Sequence, residues 1–369
     1  MGSRGERKPV SIAVVGAGTV GANHARRLAS TTDTVLECIV DPTTQGQSLA
    51  AELQVAWYFD ATQMLESHDR VPSAAIISTP NKTHVPIAMA LIPHHIHLLI
   101  EKPLCTSVVE GQMLLSEARK NDVVVAVGHH RRHNPRIRAA YYAVRNGSIG
   151  RILATSGVWV CSKPASYFDG VGAWRGGAQA GIIWINLIHE IDLLQMLVGR
   201  IERVYAERAP SLRIDQSSSI SPESTEGLAL TLRFANDAVG TFLALDNAPS
   251  PYFMEAGTGE NSNFPYSGQD SYHIFGDAGC MTVPHGKIWR PENAADGRNS
   301  KNVLEQLPES NVEENVYDRQ LKNFVAAVRG QQIPLCAGED GLLAVAVCEA
   351  IQESLSTLKS VPVPLPTLG

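Results

Sequence analysis

Runs of apolar residues alternate with helix-like segments through the first third of the chain. The predicted strands are short and almost wholly apolar: Ser11–Val15, Val35–Val40, Ala74–Ser78, His97–Ile100 and Val123–Val127. Helices are predicted at Val20–Ser30, around Val85–Leu91 and at Val108–Asn121. Continuously apolar strands separated by helices are typical of a parallel sheet that is covered on both faces. This third is therefore predicted to be an α/β domain.

Beyond Gly128 and one more predicted helix, Pro135–Asn146, strand-like segments dominate the sequence. They are Ile152–Cys161, Arg203–Ala209, Leu228–Phe234, Ala238–Leu245, Tyr272–Phe275 and Cys280–Val283. Apolar helices are predicted at Ile182–Leu197 and Leu342–Leu358, and polar loops at Pro210–Glu226 and Gly257–Gln269. Many strands with few helices predict a largely antiparallel sheet. We expect two domains, residues 1–128 and 129–369.

Composition narrows the class of protein. Of the 369 residues, 44% are hydrophobic, which is enough for a sizeable core, and the net charge is −6. Lysine and arginine form no dense block, so nucleic acid is not an expected partner. No apolar run approaches the roughly 18 residues of a membrane span, and the first residues show no leader pattern. We expect a soluble cytoplasmic protein.

Cysteine and histidine give no metal signature. The six cysteines are scattered without a C-x-x-C pair, so structural zinc and a redox dithiol are both disfavoured. Two histidine groups stand out, one at residues 94, 95 and 97 and the other at 129, 130 and 133. Neither has the carboxylate or thiolate neighbours of a closed metal site, and no metal is expected.

A glycine pattern follows the first predicted strand. Gly16, Gly18 and Gly21 form a G-x-G-x-x-G motif, with Thr19 and Val20 at the start of the following helix. The glycines permit a tight turn, close approach of a pyrophosphate and close helix–strand packing, while the helix N-terminus offers amide donors. The strand–turn–helix context predicts a dinucleotide site.

Asp41 ends the second predicted strand, where a ribose-binding acid belongs. The alternative is an ordinary turn or helix-capping aspartate before Pro42. A carboxylate that accepts the ribose hydroxyls repels a 2′-phosphate, and residues 42–45 bring no arginine or lysine to bind one. NAD is therefore favoured over NADP.

Hydride transfer from an alcohol requires a proton acceptor and a positive charge near the developing alkoxide. Lys102 lies just beyond a predicted buried strand, at the edge of the sheet where ligands bind. His189 lies on the apolar helix Ile182–Leu197. Each has a plain alternative, because Lys102 alone could be a surface lysine and His189 alone a core histidine.

Several motifs occur together in a fixed order. Thr79-Pro80-Asn81 is followed by His84, then by Glu101-Lys102-Pro103, then by GHHRRHNP from Gly128 and finally by the helix segment from Asn186 to Asp192. With the glycine turn, this series resembles the Gfo/Idh/MocA family of oxidoreductases over nearly the whole chain. The resemblance implies a Rossmann domain followed by an α+β domain with a large, open, predominantly antiparallel sheet. Because that sheet often mediates oligomerisation in the family, a homodimer or homotetramer is expected.

The resemblance also implies residue roles. Lys102 matches the family's catalytic lysine, which polarises the reacting oxygen, and His189 matches its proton acceptor. Pro80, Asn81 and Glu101 match positions that line the nicotinamide pocket, and the cofactor set also takes in Thr79 and His84. Arg131 matches a position that faces substrate and cofactor. Its plain alternative is that Arg131 or Arg132 pairs with a surface acid.

One position departs from the family pattern. Reference dehydrogenases carry Asp four residues before the histidine, and here that residue is Ile185, which cannot hydrogen-bond a substrate. Asn186 is a neutral alternative within reach of the pocket. Trp174 and Tyr252 are candidates for stacking against a sugar ring, with core packing as the alternative.

The leading hypothesis is an NAD-dependent oxidoreductase that acts on a secondary hydroxyl, or the matching ketone, of a sugar, cyclitol or similar polyol. A second hypothesis is a redox-neutral hydrolase or lyase that retains its NAD. A third is a regulatory homologue without activity, which is suggested by Ile185 and opposed by the presence of both Lys102 and His189.

Overall fold

The computed structural model describes residues 8–67, 71–177, 180–213, 224–292, 302–307 and 314–367. The chain divides into two compact units. The first contains the residues up to His130, together with Tyr317–Val345 and the end of the chain from Pro366. The second contains Arg131–Val316 and Ala346–Leu365.

Within the described residues, the first unit is built on a six-stranded sheet whose paired strands are parallel. The strands are β1 (Val10–Val15), β2 (Thr34–Val40), β3 (Ala56–Tyr58), β4 (Ala74–Ile77), β5 (His97–Ile100) and β6 (Val125–Val127). Their order is 3-2-1-4-5-6, so the order reverses between β1 and β4. This is the order of a Rossmann fold, in which ligands bind beyond the carboxyl ends of the strands.

Five helices connect these strands: α1 (Thr19–Ala29), α2 (Thr44–Leu53), α3 (Ala61–Ser67), α4 (His84–Leu91) and α5 (Val108–Lys120). The central strands β1 and β4 are almost wholly buried because helices cover both faces, which explains their continuous apolar sequence. The predicted strands and helices of this part are confirmed within two residues at each end. The sequence analysis missed α2, β3 and α3.

In the part of the second unit that the structure describes, nine strands form one sheet. They are β7 (Ile152–Val160), β8 (Ile201–Arg208), β9 (Gly227–Phe234), β10 (Val239–Leu245), β11 (Tyr272–Gly276), β12 (Cys280–Val283), β13 (Lys287–Pro291), β14 (Asn302–Gln306) and β15 (Val361–Pro362). All pairs are antiparallel except β7 with β10. The predicted fold class is confirmed, with one parallel pair in a mostly antiparallel sheet.

The later helices are α6 (Pro135–Arg145), α7 (Ile188–Leu197), α8 (Met254–Thr258), α9 (Val316–Val328) and α10 (Gly338–Thr357). The single helix predicted at Ile182–Leu197 needs correction, because Ile183–Leu187 form a π-helical turn ahead of α7. The loop predicted at Gly257–Gln269 begins inside α8, and most of Pro210–Glu226 lies outside the described residues. None of the described helices is long and apolar enough to cross a membrane.

Candidate active site

The glycine turn lies between β1 and α1, at the carboxyl edge of the parallel sheet. Gly16 has a φ of +95°, and a Cβ atom there would lie 2.8 Å from the carbonyl of Ser78. A Cβ on Gly21 would lie 1.9 Å from the Gly16 oxygen. Both positions therefore require glycine for the turn to pack against the residue that follows β4.

The first turn of α1 is open to an anion. Gly18 is the N-cap and supplies no side-chain cap, and no acidic residue lies in the first turn. A Cβ on Gly18 would meet nothing within 4 Å. The amides from Thr19 onward and the positive end of the helix dipole thus face open space, which fits a pyrophosphate. The glycine turn therefore fits the pyrophosphate of a dinucleotide.

Asp41 follows β2 directly and holds the glycine turn. Its Oδ2 atom accepts a hydrogen bond of 2.7 Å from the amide of Ala17, and its Oδ1 atom accepts from the amide of Thr43 at 2.8 Å. The Asp41 side chain therefore stabilises the local turns through hydrogen bonds to backbone amides, as the alternative of a turn aspartate predicted. Oδ1 also accepts a hydrogen bond from the Thr43 hydroxyl. A carboxylate oxygen accepts up to two hydrogen bonds, so Oδ2 is the atom that can still accept from a ribose hydroxyl. The ribose role stays a prediction.

His84 connects two of the predicted motifs. Its Nδ1 atom lies 2.8 Å from the carbonyl oxygen of Pro103, and its Nε2 atom lies 2.8 Å from that of Thr79. Burial lowers the pKa of His84 below its usual range and favours the neutral ring. A neutral imidazole has one N–H, so it donates to one carbonyl at a time. The ring therefore lies between the carbonyl oxygens of the T-P-N loop and the E-K-P loop, and it donates to one of the two.

Glu101 belongs to a buried network that the sequence analysis missed. Its Oε1 atom lies 2.9 Å from Nε2 of His24 on α1. Burial raises the pKa of Glu101, but the hydrogen bond and charge of His24, together with the charges of His130 and Lys102, hold that pKa below its usual range. Tyr317 of α9 packs edge-on to His24 and stacks on His130, with ring centroids 5.7 and 4.8 Å away. Residues of the first unit therefore favour the ionised form of Glu101.

Lys102 lies two residues beyond the end of β5, as predicted. Its backbone amide donates to Oε2 of Glu101 at 3.3 Å, so the Glu101–His24 pair also fixes the backbone of the lysine. The glycine turn and Lys102 thus follow β1 and β5 at the same edge of one sheet. This edge is where the Rossmann fold binds its ligands.

In the second unit, His189 is buried on α7. Asn186 lies in the π-helical turn three residues earlier, and its Oδ1 atom accepts a hydrogen bond from the ammonium group of Lys163. Single π-helical turns occur frequently at functional sites. Sequence reasoning missed Lys163, although its position just after a predicted strand was a usable signal.

Arg131 lies in a buried cluster of charges. Its guanidinium pairs with Glu190, with Glu255 at 2.6 Å and with Glu260 at 3.3 Å. The neighbouring Arg132 forms a two-pronged pair with Asp192 of α7 at 2.7 to 3.1 Å. Both arginines therefore pair with buried acids rather than surface ones. The predicted cofactor- and substrate-facing role of Arg131 remains untested.

The Arg131 cluster predicts a pH-dependent stability. Burial raises the pKa of Glu190 to about 8 against the lowering effect of Arg131, whereas the unfolded side chain titrates near ~4.3. The native state thus keeps a proton that the unfolded state releases, and stability falls as pH rises through this window. We expect Glu190→Gln to raise the melting temperature at pH 8.5 by about 4–8 °C, equivalent to about 2 kcal/mol. Near pH 5 the difference should disappear.

Differential scanning calorimetry across this pH range measures the effect. Glu202→Gln is the matched control, because Glu202 is a partly exposed carboxylate of the same unit. It should follow the wild-type pH profile. Parallel profiles for wild type and Glu190→Gln would show that the buried carboxyl does not titrate in this window.

The two aromatic candidates are exposed. Trp174 and Tyr252 have 54% and 48% of their surface accessible, which excludes simple core packing for both. Phe253, the neighbour of Tyr252, is buried and packs on Trp159 with ring centroids 6.1 Å apart. Arg175 lies 5.5 Å from the Trp174 ring.

Comparison with known families now identifies the class. A model described as an oxidoreductase family with an NAD-binding Rossmann fold (GFO_IDH_MocA) matches residues 10–129. The model of the C-terminal alpha/beta domain of the same family matches residues 142–365. The chain belongs to the Gfo/Idh/MocA family of oxidoreductases. Its first domain is an NAD-binding Rossmann domain, and its cofactor is NAD.

Individual relatives of this oxidoreductase are distant. Myo-inositol 2-dehydrogenase of Thermotoga maritima is 25% identical over 362 residues, which covers 95% of this chain and 97% of the relative. The structure of WlbA dehydrogenase from Bordetella pertussis with NADH and UDP-GlcNAcA is 22% identical in sequence and has a TM-score of 0.76. The match covers 97% of this chain and 99% of the WlbA chain. The structure of levoglucosan dehydrogenase with NADH and levoglucosan is 21% identical in sequence and has a TM-score of 0.75. The match covers 96% of this chain and 100% of that chain. These structural likenesses show a shared fold.

Proposed function

We propose that this Gfo/Idh/MocA oxidoreductase transfers a hydride between NAD and a secondary hydroxyl or ketone carbon of a sugar, cyclitol or similar polyol. The observation that carries the proposal is the position of Lys102 on the same sheet edge as the open glycine turn. Relatives named as myo-inositol 2-dehydrogenase and levoglucosan dehydrogenase support the substrate class.

In the proposed mechanism, bound NAD supplies the nicotinamide carbon that accepts or returns the hydride. The ammonium of Lys102 donates a hydrogen bond to the reacting oxygen and stabilises the negative charge that develops there. The imidazole of His189 takes the hydroxyl proton during oxidation and returns it during reduction. With NAD bound, Pro80, Asn81 and Glu101 would border the nicotinamide, and Asp41 would bind the adenosine ribose and disfavour NADP.

The proposal assigns residues 1–128 to cofactor binding and residues 129–369 to the substrate and to oligomer contacts. We also assign Tyr317–Val345 to the cofactor-binding part, because this later segment belongs to the first compact unit.

The first experiment follows absorbance at 340 nm with NAD⁺ and, in parallel, NADP⁺ against a panel of sugars, inositols and glycosides. Sustained NADH formation with at least one compound, and a preference for NAD⁺, is the expected result. If no compound yields NADH while NAD is recovered from the denatured protein, the redox-neutral alternative replaces this proposal.

The oligomer is proposed to form through the open face of the nine-stranded sheet. Alternate residues of β10 point outward there, and the face carries exposed apolar side chains: Val239, Leu243 and Phe275. A hollow of about 600 Å³ lies on the same face, lined by residues of β7, β8, β9, β10 and β11 and by Ser360. Exposed apolar surface of this kind marks an interaction site, and we infer that a second copy of the chain occupies it.

The outer face predicts an interface variant. Leu243→Glu places a charge in the centre of that face, where burial without a partner is costly, and should convert the oligomer to monomer. Light scattering coupled to size-exclusion chromatography measures the mass. Val109→Glu is the control, because Val109 is an exposed apolar residue on α5 of the first unit. An unchanged mass for Leu243→Glu would move the interface elsewhere.

A further inference from the structure

A group of cationic and aromatic side chains lies at one end of the parallel pair in the second sheet. Val160 and Leu245 are register partners at the ends of β7 and β10. The chain after each strand stays paired, since the amide of Lys163 donates to the carbonyl of Asp246 at 3.0 Å. Lys163 and Asp246 therefore lie side by side beyond the carboxyl ends of neighbouring parallel strands.

The ammonium of Lys163 has spare hydrogen-bonding capacity. Its side chain is only 8% exposed. In the described part of the chain, its oxygen partners are Oδ1 of Asn186 and Oδ2 of Asp246, the latter 3.4 Å away. An ammonium has three N–H donors, so one is left over. Its partner Asn186 precedes His189, the predicted proton acceptor, by three residues.

Two aromatic rings make cation–π contacts with Lys163 and with two arginines. Lys163 Nζ is 4.8 Å from the centroid of the Tyr167 ring, and Arg175 Cζ is 4.3 Å from the same centroid. Arg213 lies 4.4 Å from the centroid of Phe168. We call Lys163, Arg175 and Arg213 the cationic group. Cation–π contacts of this kind orient the charges without neutralising them.

In the described part of the chain, the cationic group has fewer carboxylate partners than cations. Asp246 pairs with both Lys163 and Arg213, and Glu226 pairs with Arg213 at 3.8 Å. Among the described residues, Arg175 contacts no carboxylate, and its Nη1 atom donates to the carbonyl of Tyr167 at 2.9 Å. Within the described part of the chain, three cations therefore pair with two carboxylates, and Arg175 is the cation without a carboxylate partner there.

The nearby acids of the Arg131 cluster do not supply the missing charge. Glu255 is committed to Arg131 and to the indole N–H of Trp159, at 2.6 and 3.0 Å. Glu190 and Glu260 are likewise committed to Arg131. Burial lowers the pKa of Lys163. An anion beside the ammonium would oppose that effect.

We propose that the cationic group binds the carboxylate of an acidic sugar, so that the substrate is a sugar acid rather than a neutral polyol. Arg175 pairs with no carboxylate among the described residues, and its planar guanidinium matches the two oxygens of a carboxylate. The exposed ring of Trp174 beside Arg175 offers an apolar face to the sugar itself. The inference rests on the proposed dehydrogenase function and specifies its substrate class.

The test compares matched ligands on the full-length enzyme loaded with NADH. Isothermal titration calorimetry measures D-glucuronate against D-glucose, D-galacturonate against D-galactose, and glucose 6-phosphate as a second anion. Turnover with NAD⁺ is followed in parallel at 340 nm. We expect each acid to bind at least about tenfold more tightly than its neutral partner, since a hydrogen bond to a charged group is worth about that much.

Two variants locate the effect. Arg175→Gln should weaken binding of the acids about 10–100-fold and leave neutral sugars and NADH within about twofold. Arg151→Gln is the matched control, because Arg151 is an exposed arginine of the same unit and should change nothing.

The outcomes separate the two proposals. Equal binding of acid and neutral sugars, or binding of neither, overturns the sugar-acid inference, and so does a preference for the 6-phosphate. If neutral sugars nevertheless reduce NAD⁺, the dehydrogenase proposal survives. If acids bind selectively but no compound reduces NAD⁺, the dehydrogenase proposal fails while the binding site stands.

Discussion

Lys102→Met is expected to lower kcat about 10²–10⁴-fold while leaving the dissociation constant of NADH within about twofold. Methionine keeps most of the length of the side chain and removes its charge and its three donors. Lys102 follows β5 at the carboxyl edge of the sheet, and its backbone amide, which the substitution leaves intact, donates to Glu101. The substitution should therefore remove polarisation of the reacting oxygen without disturbing the glycine turn. Absorbance at 340 nm gives kcat, and quenching of intrinsic fluorescence gives the NADH affinity.

Lys120→Met is the control for loss of a lysine charge. Lys120 is exposed at the end of α5 in the same unit and pairs only loosely with Glu117, at 3.3 Å. It should retain wild-type kcat and NADH affinity. If Lys102→Met kept full activity, Lys102 would have no part in the chemistry. If wild type and variant were both inactive yet bound NADH, the hypothesis of a regulatory homologue would gain.

The fold of the first unit was predictable because its signals are local. Buried parallel strands such as β1 and β4 are continuous apolar runs, and the turn after β1 requires glycine at Gly16 and Gly21. The short strand β3 is half-exposed and lies at the edge of the sheet, so its sequence lacks that signal. Local sequence therefore predicted the centre of the sheet better than its edge.

The charged networks of the site were not predictable in the same way. Arg131 was recognised from its motif, but its partner Glu190 is 59 residues away, and Glu255 and Glu260 are farther still. Likewise, Tyr317 joins His24 only because α9 returns to the first unit. Such contacts depend on long-range pairing of elements, which no spacing rule along one chain encodes. The motif identifies the residue, and the fold supplies its partners.

Gly21→Ala is expected to lower both the stability of the protein and its affinity for NADH, whereas Gly18→Ala is expected to lower only the affinity. A Cβ on Gly21 would lie 1.9 Å from the Gly16 carbonyl oxygen and 2.5 Å from Oγ of Ser78. Because the nearest obstacle is backbone, the turn itself must shift, at a cost of about 3 kcal/mol. The melting temperature of the NAD-free protein should fall by about 6–12 °C. Affinity for NADH should fall with it, since the helix start is displaced.

Gly18→Ala tests the same turn without that strain. Its φ of −64° suits any residue, and its Cβ would meet nothing within 4 Å of protein. The NAD-free melting temperature should therefore stay within about 1 °C of wild type, because nothing in the fold resists the methyl group. If the pyrophosphate approaches the backbone here, the methyl group takes its space and NADH affinity should fall at least about tenfold. Wild-type affinity in Gly18→Ala would place the pyrophosphate away from this turn. The pair thus separates a glycine required by the protein's own packing from one required by its cofactor.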